Sequence, residues 1–445
     1  MLGYYFQLAF RNLRRNPGLT ALMIGAVALG IAVCVMTLTM YRAMSGNPIW
    51  WKNDVLYAVT MDFWDPQEPA DEERPELPPT QLTYRDALAM YRSDIPKHKV
   101  IMHKAVGILS VDGSQAKPER AMTRVTTRDF FAIFDAPFQY GGTWSPEADE
   151  APEPVVVISR TVNEKLFGGT NSVGRHVRWN DREFRIVGVR DHWMPLPTFY
   201  DVNNGNLEEP EDVYIPFGWN AALEIISAGN TNGWKPEDIN TYQDFLNSED
   251  IWIQMWVELP DAAARDRFQA FLDNYATEQK KGGRHPRPIN NRLTKPDQWL
   301  VDNGVVGNDD RVLVGLAFAF LAVCLLNTVG LLLAKFLNNA AITGVRRALG
   351  ASRRQIFMQH LVEVGVISSI GALLGLALGA ILLMGLRALY TVDPTDAGGT
   401  QALAHVDVTS VVTALALAFI ATIAAGLYPA WRIGRIPPAN YLKAQ

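Results

Sequence analysis

Four stretches of this chain are each long and apolar enough to cross a bilayer, and none holds a Lys, Arg, Asp or Glu: Leu19–Tyr41, Val312–Ala334, Val364–Leu386 and Val408–Tyr428. A hydrocarbon core of about 30 Å takes roughly 20 residues of helix. The first stretch is too long for a signal-peptide core, which runs about 7–15 residues before a cleavage site. We expect an integral membrane protein with four transmembrane helices and one large domain between the first and second. The boundaries read as a surface segment 1–17, a first span 18–44, an outer domain 45–308, a second span 309–335, a loop 336–358, a third span 359–387, a short external loop 388–407, a fourth span 408–430 and a tail 431–445.

Lys and Arg set the expected orientation, because cytoplasmic flanks are enriched in them. Arg11, Arg14 and Arg15 precede the first span; Lys335, Arg346, Arg347, Arg353 and Arg354 sit around the loop after the second; Arg432, Arg435 and Lys443 follow the fourth. The loop after the third span carries Asp393, Asp396 and Asp407 instead. Both termini are therefore expected in the cytoplasm and 45–308 outside. Trp50 and Trp51 suit the outer interface and Trp431 the inner one.

Charge divides the same way. Residues 45–308 hold 27 Lys and Arg against 40 Asp and Glu, a net of −13; the remainder holds 14 and 6, a net of +8, which together give the chain's −5. An acidic outer domain argues against a nucleic-acid partner and suits solubility. The two cysteines, Cys34 and Cys324, both fall in spans and read as small packing residues. The outer domain has none, and at 264 residues it can bury a core without disulfides.

The outer domain reads as α+β. Asn53–Phe63 alternates with β-rich residues, and Val100–Val111 and Ile251–Leu259 read as strands. Asp65–Pro79 is an acidic, proline-rich loop. Thr83–Arg92 reads as a helix with Thr83 and Asp86 as a capping pair, and Asp261–Lys280 as one capped by Asp261. These segments, 45–118 and 221–308, form a porter-like βαβ subdomain. Within it, 119–220 reads as an inserted β-rich subdomain: strands at Glu119–Val125, Val155–Ile158 and Asp212–Pro216, a helix Ser159–Phe167 capped by Ser159, and a hairpin of Arg175–Trp179 with Glu183–Val189 turning at Asn180-Asp181. Leu196–Pro210 is turn-rich and carries no assignment.

Several segments carry a resemblance. Gly344–Ala351 (GVRRALGA), followed by Ser352, Arg353, Gln355, Ile356 and Glu363, resembles the permease domain of MacB/FtsX-type ABC transporters. The tail Gly426–Leu442 (GLYPAWRIGRIPPANYL) is similar to that family's closing motif. The opening Arg11–Leu22 (RNLRRNPGLTAL) fits too. Val155–Val189 resembles the family's extracytoplasmic core domain. The resemblance implies a permease acting with an ABC ATPase dimer, placed in the cell inner membrane. It implies that Gly344, Val345, Arg346, Arg347, Ala348, Leu349, Gly350, Ala351, Ser352 and Arg353 form the helix and turn that dock on that ATPase. It further implies mechanotransmission, in which ATP-driven closure moves the outer domain and substrate is handled outside the cytoplasm, and at least a dimer of permeases.

The residues fit that reading on their own terms. Gly3–Arg15 can form an amphipathic helix, with Tyr4, Phe6, Leu8, Phe10 and Leu13 among bases, lying on membrane lipids at the inner surface. The 336–358 loop has helix formers, a terminating Gly350 and a fresh cap at Ser352. Gly371, Gly375 and Gly379 form a doubled small-xxx-small pattern that lets helices approach closely. Glu363 is placed to pair with a basic neighbour or to sit among headgroups, not to carry protons.

No P-loop is present; Gly169–Arg175 (GTNSVGR) lacks the Lys-Ser/Thr pair of a phosphate cradle. ATP and Mg are therefore expected on a partner ATPase, and this chain is expected to have no cofactor, no metal and no enzymatic activity of its own. The seven histidines (His98, His103, His176, His192, His285, His360 and His405) form neither HExxH nor a zinc spacing. His98 and His103 are five apart on one strand and face opposite sides. The family places an acidic residue just before GVRRALGA, whereas this chain has Asn338-Asn339-Ala340-Ala341-Ile342-Thr343, so the second permease is expected to be either another copy or an acidic paralogue. Efflux, with a periplasmic adaptor and an outer-membrane channel, leads the functional readings. A lipoprotein-releasing permease and an FtsX-like module that activates periplasmic enzymes are the alternatives.

Overall fold

The computed structural model describes residues 2–390 apart from 112–116, 207, 306–307 and 339, and beyond these only positions 416, 426, 427, 429 and 431. The chain divides into two compact units, one of residues 1–45 with 307–445, the other Gly46–Val306.

The outer unit, Gly46–Val306, is built on one sheet. Its strands are β1 (Leu56–Thr60), β2 (Leu82–Thr83), β3 (His98–Ser110), β4 (Glu119–Thr126), β5 (Phe138–Gly141), β6 (Val155–Ser159), β7 (His176–Trp179), β8 (Arg182–Arg190), β9 (Val213–Pro216), β10 (Ile251–Glu258) and β11 (Arg292–Thr294). They run in the order β11-β1-β10-β3-β4-β9-β6-β8-β5, with β2 on β10 and β7 bridging β3 and β8. The first four positions are a split βαβ arrangement. Helix Tyr84–Tyr91 precedes β3, helix Ala262–Lys281 links β10 to β11, and β1 and β3 flank β10 antiparallel. The strands of 119–220 continue the same sheet. β4 pairs with β3 from Met102↔Thr126 to Leu109↔Glu119.

Successive side chains on a strand point to opposite faces, and here both faces are covered. Tyr57, Val59, Ile101, Ala105, Val156 and Ile158 join one core with Phe268 and Leu272 of helix Ala262–Lys281. Leu56, Ala58, Val100, Met102, Val155 and Val157 join a second, aromatic core with Phe130, Tyr200, Trp256 and Trp299. Two-sided burial leaves all five residues of β1 and all five of β6 buried. Three helix caps lie where the sequence puts them: Thr83 Oγ1 accepts from Asp86 N, Ser159 Oγ from Val162 N and Asp261 from Ala264 N. The β7–β8 hairpin turns on Asn180 and Asp181, both at positive φ (44° and 53°) as a two-residue turn demands. The unassigned stretch contains a 3-10 helix, Phe199–Asn204.

In the membrane unit, helix Leu2–Arg15 is followed by the first span within Pro17–Ser45, the second within Asn308–Asn338, a short helix Ala340–Ala348, and the third within Arg353–Tyr390. Among the described residues, three helical segments are long and apolar enough to cross a membrane: Pro17–Tyr41, Val312–Asn338 and Arg353–Gly385. The fourth apolar stretch, Val408–Tyr428, lies almost wholly outside the described residues. The first span packs against both other described spans. A Cβ on Gly30 would come within 2.8 Å of Leu321 Cδ1 on the second span, and one on Gly371 within 2.8 Å of Val27 Cγ1 from the third. The Cys34 thiol is buried and donates to the Ala317 carbonyl at 3.2 Å.

Candidate functional site: the cationic turn after the second span

The turn begins where the second span ends. Helix Ala340–Ala348 carries Gly344, Val345, Arg346, Arg347 and Ala348. It stops in two bonds that reach back over the last turn, Gly350 N–H to Arg347 O (3.1 Å) and Ala351 N–H to Arg346 O (3.1 Å). This is a Schellman close, which needs a residue at positive φ, and Gly350 supplies it at 101°. Ser352 then opens the third helix: its Oγ accepts from Gln355 N (3.2 Å), and Gln355 Oε1 accepts from Ser352 N (2.9 Å). The reciprocal pair satisfies two of the amides that a helix start leaves without partners.

The turn presents apolar and cationic groups together. Ile342, Val345 and Leu349 are 43 %, 47 % and 83 % exposed, and their spacing puts them on one helix face. Arg346 is half-buried and donates to Gln359 Oε1 of the third helix at 2.8 Å, which ties the two helices together. Arg347 is half-buried and Arg353 exposed. Gly344 is buried, and Ala351 is partly buried on the core beneath.

Behind the turn lies a polar cluster inside the helices. Lys335 Nζ and Glu363 Oε1 stand 2.7 Å apart, with side chains 0 % and 1 % exposed. Lys335 Nζ also donates to Thr20 Oγ1 (3.4 Å), whose hydroxyl donates to the Leu13 carbonyl (3.2 Å). Asn12 Nδ2 donates to Glu363 Oε2 (3.3 Å). His360 Nδ1 lies 3.8 Å from the same oxygen, and its ring packs on Phe336 with centroids 4.2 Å apart. The sequence counts Lys335 among the loop cations. The structure corrects that: the helix runs past it to Asn338, and the side chain turns inward to Glu363. Of the two settings open to Glu363, the ion pair is the one observed. Asn12 and Thr20 carried no sequence signal, since their partners, Glu363 and Lys335, come from other helices; His360 stands three residues before Glu363 on the same helix.

Gly371, Gly375 and Gly379 face the first span. A Cβ would meet Val27 Cγ1 at 2.8 Å from Gly371, Ala28 O at 2.8 Å from Gly375, and Ala32 O at 3.5 Å from Gly379. The first two contacts need the missing side chain; the third is ordinary packing.

In the outer unit, His98 is half-exposed and bonds Asp129 (3.2 Å), whereas His103 is fully buried between Asn220 (2.9 Å) and the Lys104 carbonyl (3.2 Å). Burial holds the His103 imidazole down at about 4. His285 is buried against Asp86 (3.3 Å), which also accepts from Tyr275 (2.7 Å) and Arg284 (3.0 Å). Burial alone would raise the Asp86 carboxyl, but His285 and Arg284 hold it well below the usual range. Burial pushes Asp149 up to about 6, despite bonds from Trp144 and the Arg128 amide. Among the described residues no group of three or more His, Cys, Asp or Glu is placed to hold a metal. A cavity of about 490 Å³ is lined by Trp64, Arg74, Asn203, Asn232, Arg292 and Trp299, among others.

The family described as MacB-like periplasmic core domain matches residues 20–275, and the family described as FtsX-like permease C-terminal matches 314–438. The macrolide export ATP-binding/permease protein MacB of Azoarcus sp. (strain BH72) is 22 % identical over 438 residues, covering 98 % of this chain and 59 % of that protein. The pyoverdine export ATP-binding/permease protein PvdT of Pseudomonas aeruginosa is 22 % identical over 321 residues, covering 71 % of this chain and 41 % of that protein. The chain thus spans roughly half the length of these relatives. The crystal structure of the periplasmic region of MacB from Actinobacillus actinomycetemcomitans aligns over 58 % of this chain and 96 % of that one, with 14 % identity and a TM-score of 0.36. With the core-domain family covering more than half of its length and the permease family most of the rest, the chain belongs to the MacB/FtsX-type ABC transporter permeases.

Proposed function

We propose that this permease couples ATP hydrolysis, by an ATPase outside these 445 residues, to movement of its periplasmic domain, and that the stroke drives export of a substrate from the periplasm. The observation that carries this reading is the capped helix Ala340–Ala348. Its face of Ile342, Val345 and Leu349 is exposed beside Arg346 and Arg347, as a segment seated in a partner's groove requires. The names of the relatives, both exporters with an ATP-binding part, favour export over lipoprotein release or signalling. The reading places the protein in the inner membrane with both termini in the cytoplasm. It takes Val408–Tyr428 as a fourth span. In support, Gly426 is helical and stands where a Cβ would come within 2.4 Å of Val364 Cγ1 on the third span. A second permease, either another copy or an acidic paralogue, completes the pair for an ATPase dimer. A periplasmic adaptor and an outer-membrane channel would complete the route.

The test is ATPase stimulation in the complex co-purified from its own host. Arg346→Glu with Arg347→Glu is expected to lower stimulation while leaving membrane insertion intact. Undiminished stimulation would reject the docking role. Identifying every co-purified chain decides the pairing, and two copies of this chain with no second permease would reject the paralogue.

A further inference from the structure

We infer that Lys335 and Glu363 are positioning residues. Buried as a pair where four helices meet, they hold the N-terminal surface helix Leu2–Arg15 and the docking turn together, so that both move as one body. The inference rests on the proposed docking role for its functional meaning, but its geometry stands apart from that role.

Three observations carry it. The pair is buried within a single chain, at 0 % and 1 % exposure. Taking two charges out of water is costly and is sustained only where the geometry and further hydrogen bonds compensate. Among the described residues two helices supply hydrogen bonds to the pair, Asn12 of the surface helix on Glu363 Oε2 and Thr20 of the first span on Lys335 Nζ, while His360 of the third span lies 3.8 Å from Glu363 Oε2.

The second observation is the chain of bonds from the surface helix. Lys335 reaches Thr20, and the Thr20 hydroxyl reaches the carbonyl of Leu13. Both ends of the ion pair therefore touch the last turn of the surface helix, one through Asn12 and the other through Thr20 and Leu13.

The third is the apolar packing around them. Ala9 and Leu13 of the surface helix share one core with Leu332 and Phe336 of the second span and Ile356 and Val364 of the third. Tyr4, Phe6 and Phe10 of the same helix are exposed. An apolar seam alone permits sliding and rotation, because its energy is non-directional. A buried charge pair does not, since removing either partner strands the other charge. The pair thus adds register to the seam. Arg346, bonded to Gln359, links the docking helix to the third helix that carries Glu363.

The test uses the full chain in lipid nanodiscs, with Cys34 and Cys324 replaced by Ala and spin labels placed at Gln7→Cys and Arg354→Cys. The unaltered pair is expected to give one narrow distance distribution. Glu363→Gln is expected to broaden it and to raise amide exchange over residues 9–15 about tenfold, the effect of losing charge-assisted bonds. The exchanged pair Lys335→Glu with Glu363→Lys is expected to recover most of the order. Should Glu363→Gln fail to fold, Asn12→Ala removes only the direct bond from the surface helix and is expected to loosen the same residues to a smaller degree. An unchanged distribution and unchanged exchange, in a folded Glu363→Gln or in Asn12→Ala, would overturn the inference. These readouts need no ATPase. If the labels loosen in Glu363→Gln while Arg346→Glu with Arg347→Glu leaves stimulation undiminished, the latch stands and the docking reading falls.

Discussion

Gly375 of the third span stands where a Cβ would lie 2.8 Å from the carbonyl oxygen of Ala28 on the first span. The obstacle is backbone, so neither helix can yield by turning a side chain.

That contact ranks a substitution series. Gly375→Ala is expected to cost about 1–3 kcal/mol, the usual range for overpacking. Gly371→Ala is expected to cost less, because the atom it meets is a Val27 methyl that can move. Gly379→Ala meets Ala32 at 3.5 Å and is expected to be close to neutral. Thermal unfolding of the three variants in detergent should reproduce the order 375, then 371, then 379; an equal cost at all three would mean that helix propensity, not close approach, sets the effect.

Arg124 of β4 supports two buried carboxylates at once. Its Nη2 lies 2.7 Å from Asp201 Oδ2 and is bonded to Glu211, with all three side chains nearly sealed from solvent. Arg124→Met is expected to destabilise the outer unit by about 3–5 kcal/mol, since it leaves both acids without their cation. By contrast, Arg160→Ala breaks exposed pairs to Glu164 and Asp191 and is expected to leave stability nearly unchanged. Denaturant midpoints followed by near-UV circular dichroism compare the two.

His103 predicts an acid limb. Its folded value is depressed to about 4 by burial, against about 6.5 in an unfolded chain. The unfolded state therefore binds the extra proton first. The contribution of neutral His103 is present above about 6.5 and is lost as pH falls toward 4, on the order of 3 kcal/mol in all. Asp149 works in the opposite sense: raised to about 6, it favours the folded state at low pH and loses that contribution as pH rises from about 4 through 6. The two partly cancel in the native chain. Replacing His103 by Gln is expected to expose the Asp149 limb, so that stability between pH 4 and 6.5 rises on acidification. A curve that still falls would place the acid sensitivity elsewhere.

Neutral His103 also fixes a neighbour. Only one of its ring nitrogens donates, and the Lys104 carbonyl can take that proton. Nε2 is then an acceptor, so Asn220 must turn its amide nitrogen toward it, which also gives a partner to a nitrogen otherwise buried without one.

What the sequence revealed follows from range. Helix caps at Thr83, Ser159 and Asp261, the turn at Asn180-Asp181 and the Gly350 stop are local chemistry, set within four or five residues. The apolar spans are composition. The groups that give each unit its polar interior are not local: Lys335 and Glu363 are 28 residues apart, Asn12 and Glu363 are 351 apart, and Arg124 and Glu211 are 87 apart. No spacing rule connects such positions. Lys335 is misread for the same reason, since a cation near the end of a span satisfies the orientation rule whether it faces the headgroups or turns inward. Leu196–Pro210 is opaque because its turn residues hide Phe199 and Tyr200, which enter the aromatic core.

The ladder between β3 and β4 has a mechanical consequence. β3 is 13 residues long. It pairs with β10 through His98–Met102 and with β4 through Met102–Leu109, so it belongs to both halves of the sheet. A hinge between those halves would have to break eight consecutive residue pairs. The periplasmic unit is therefore a stiff plate, not a jaw. A tilt imposed on the β10 side of the sheet therefore carries β4 with it instead of opening a gap between them.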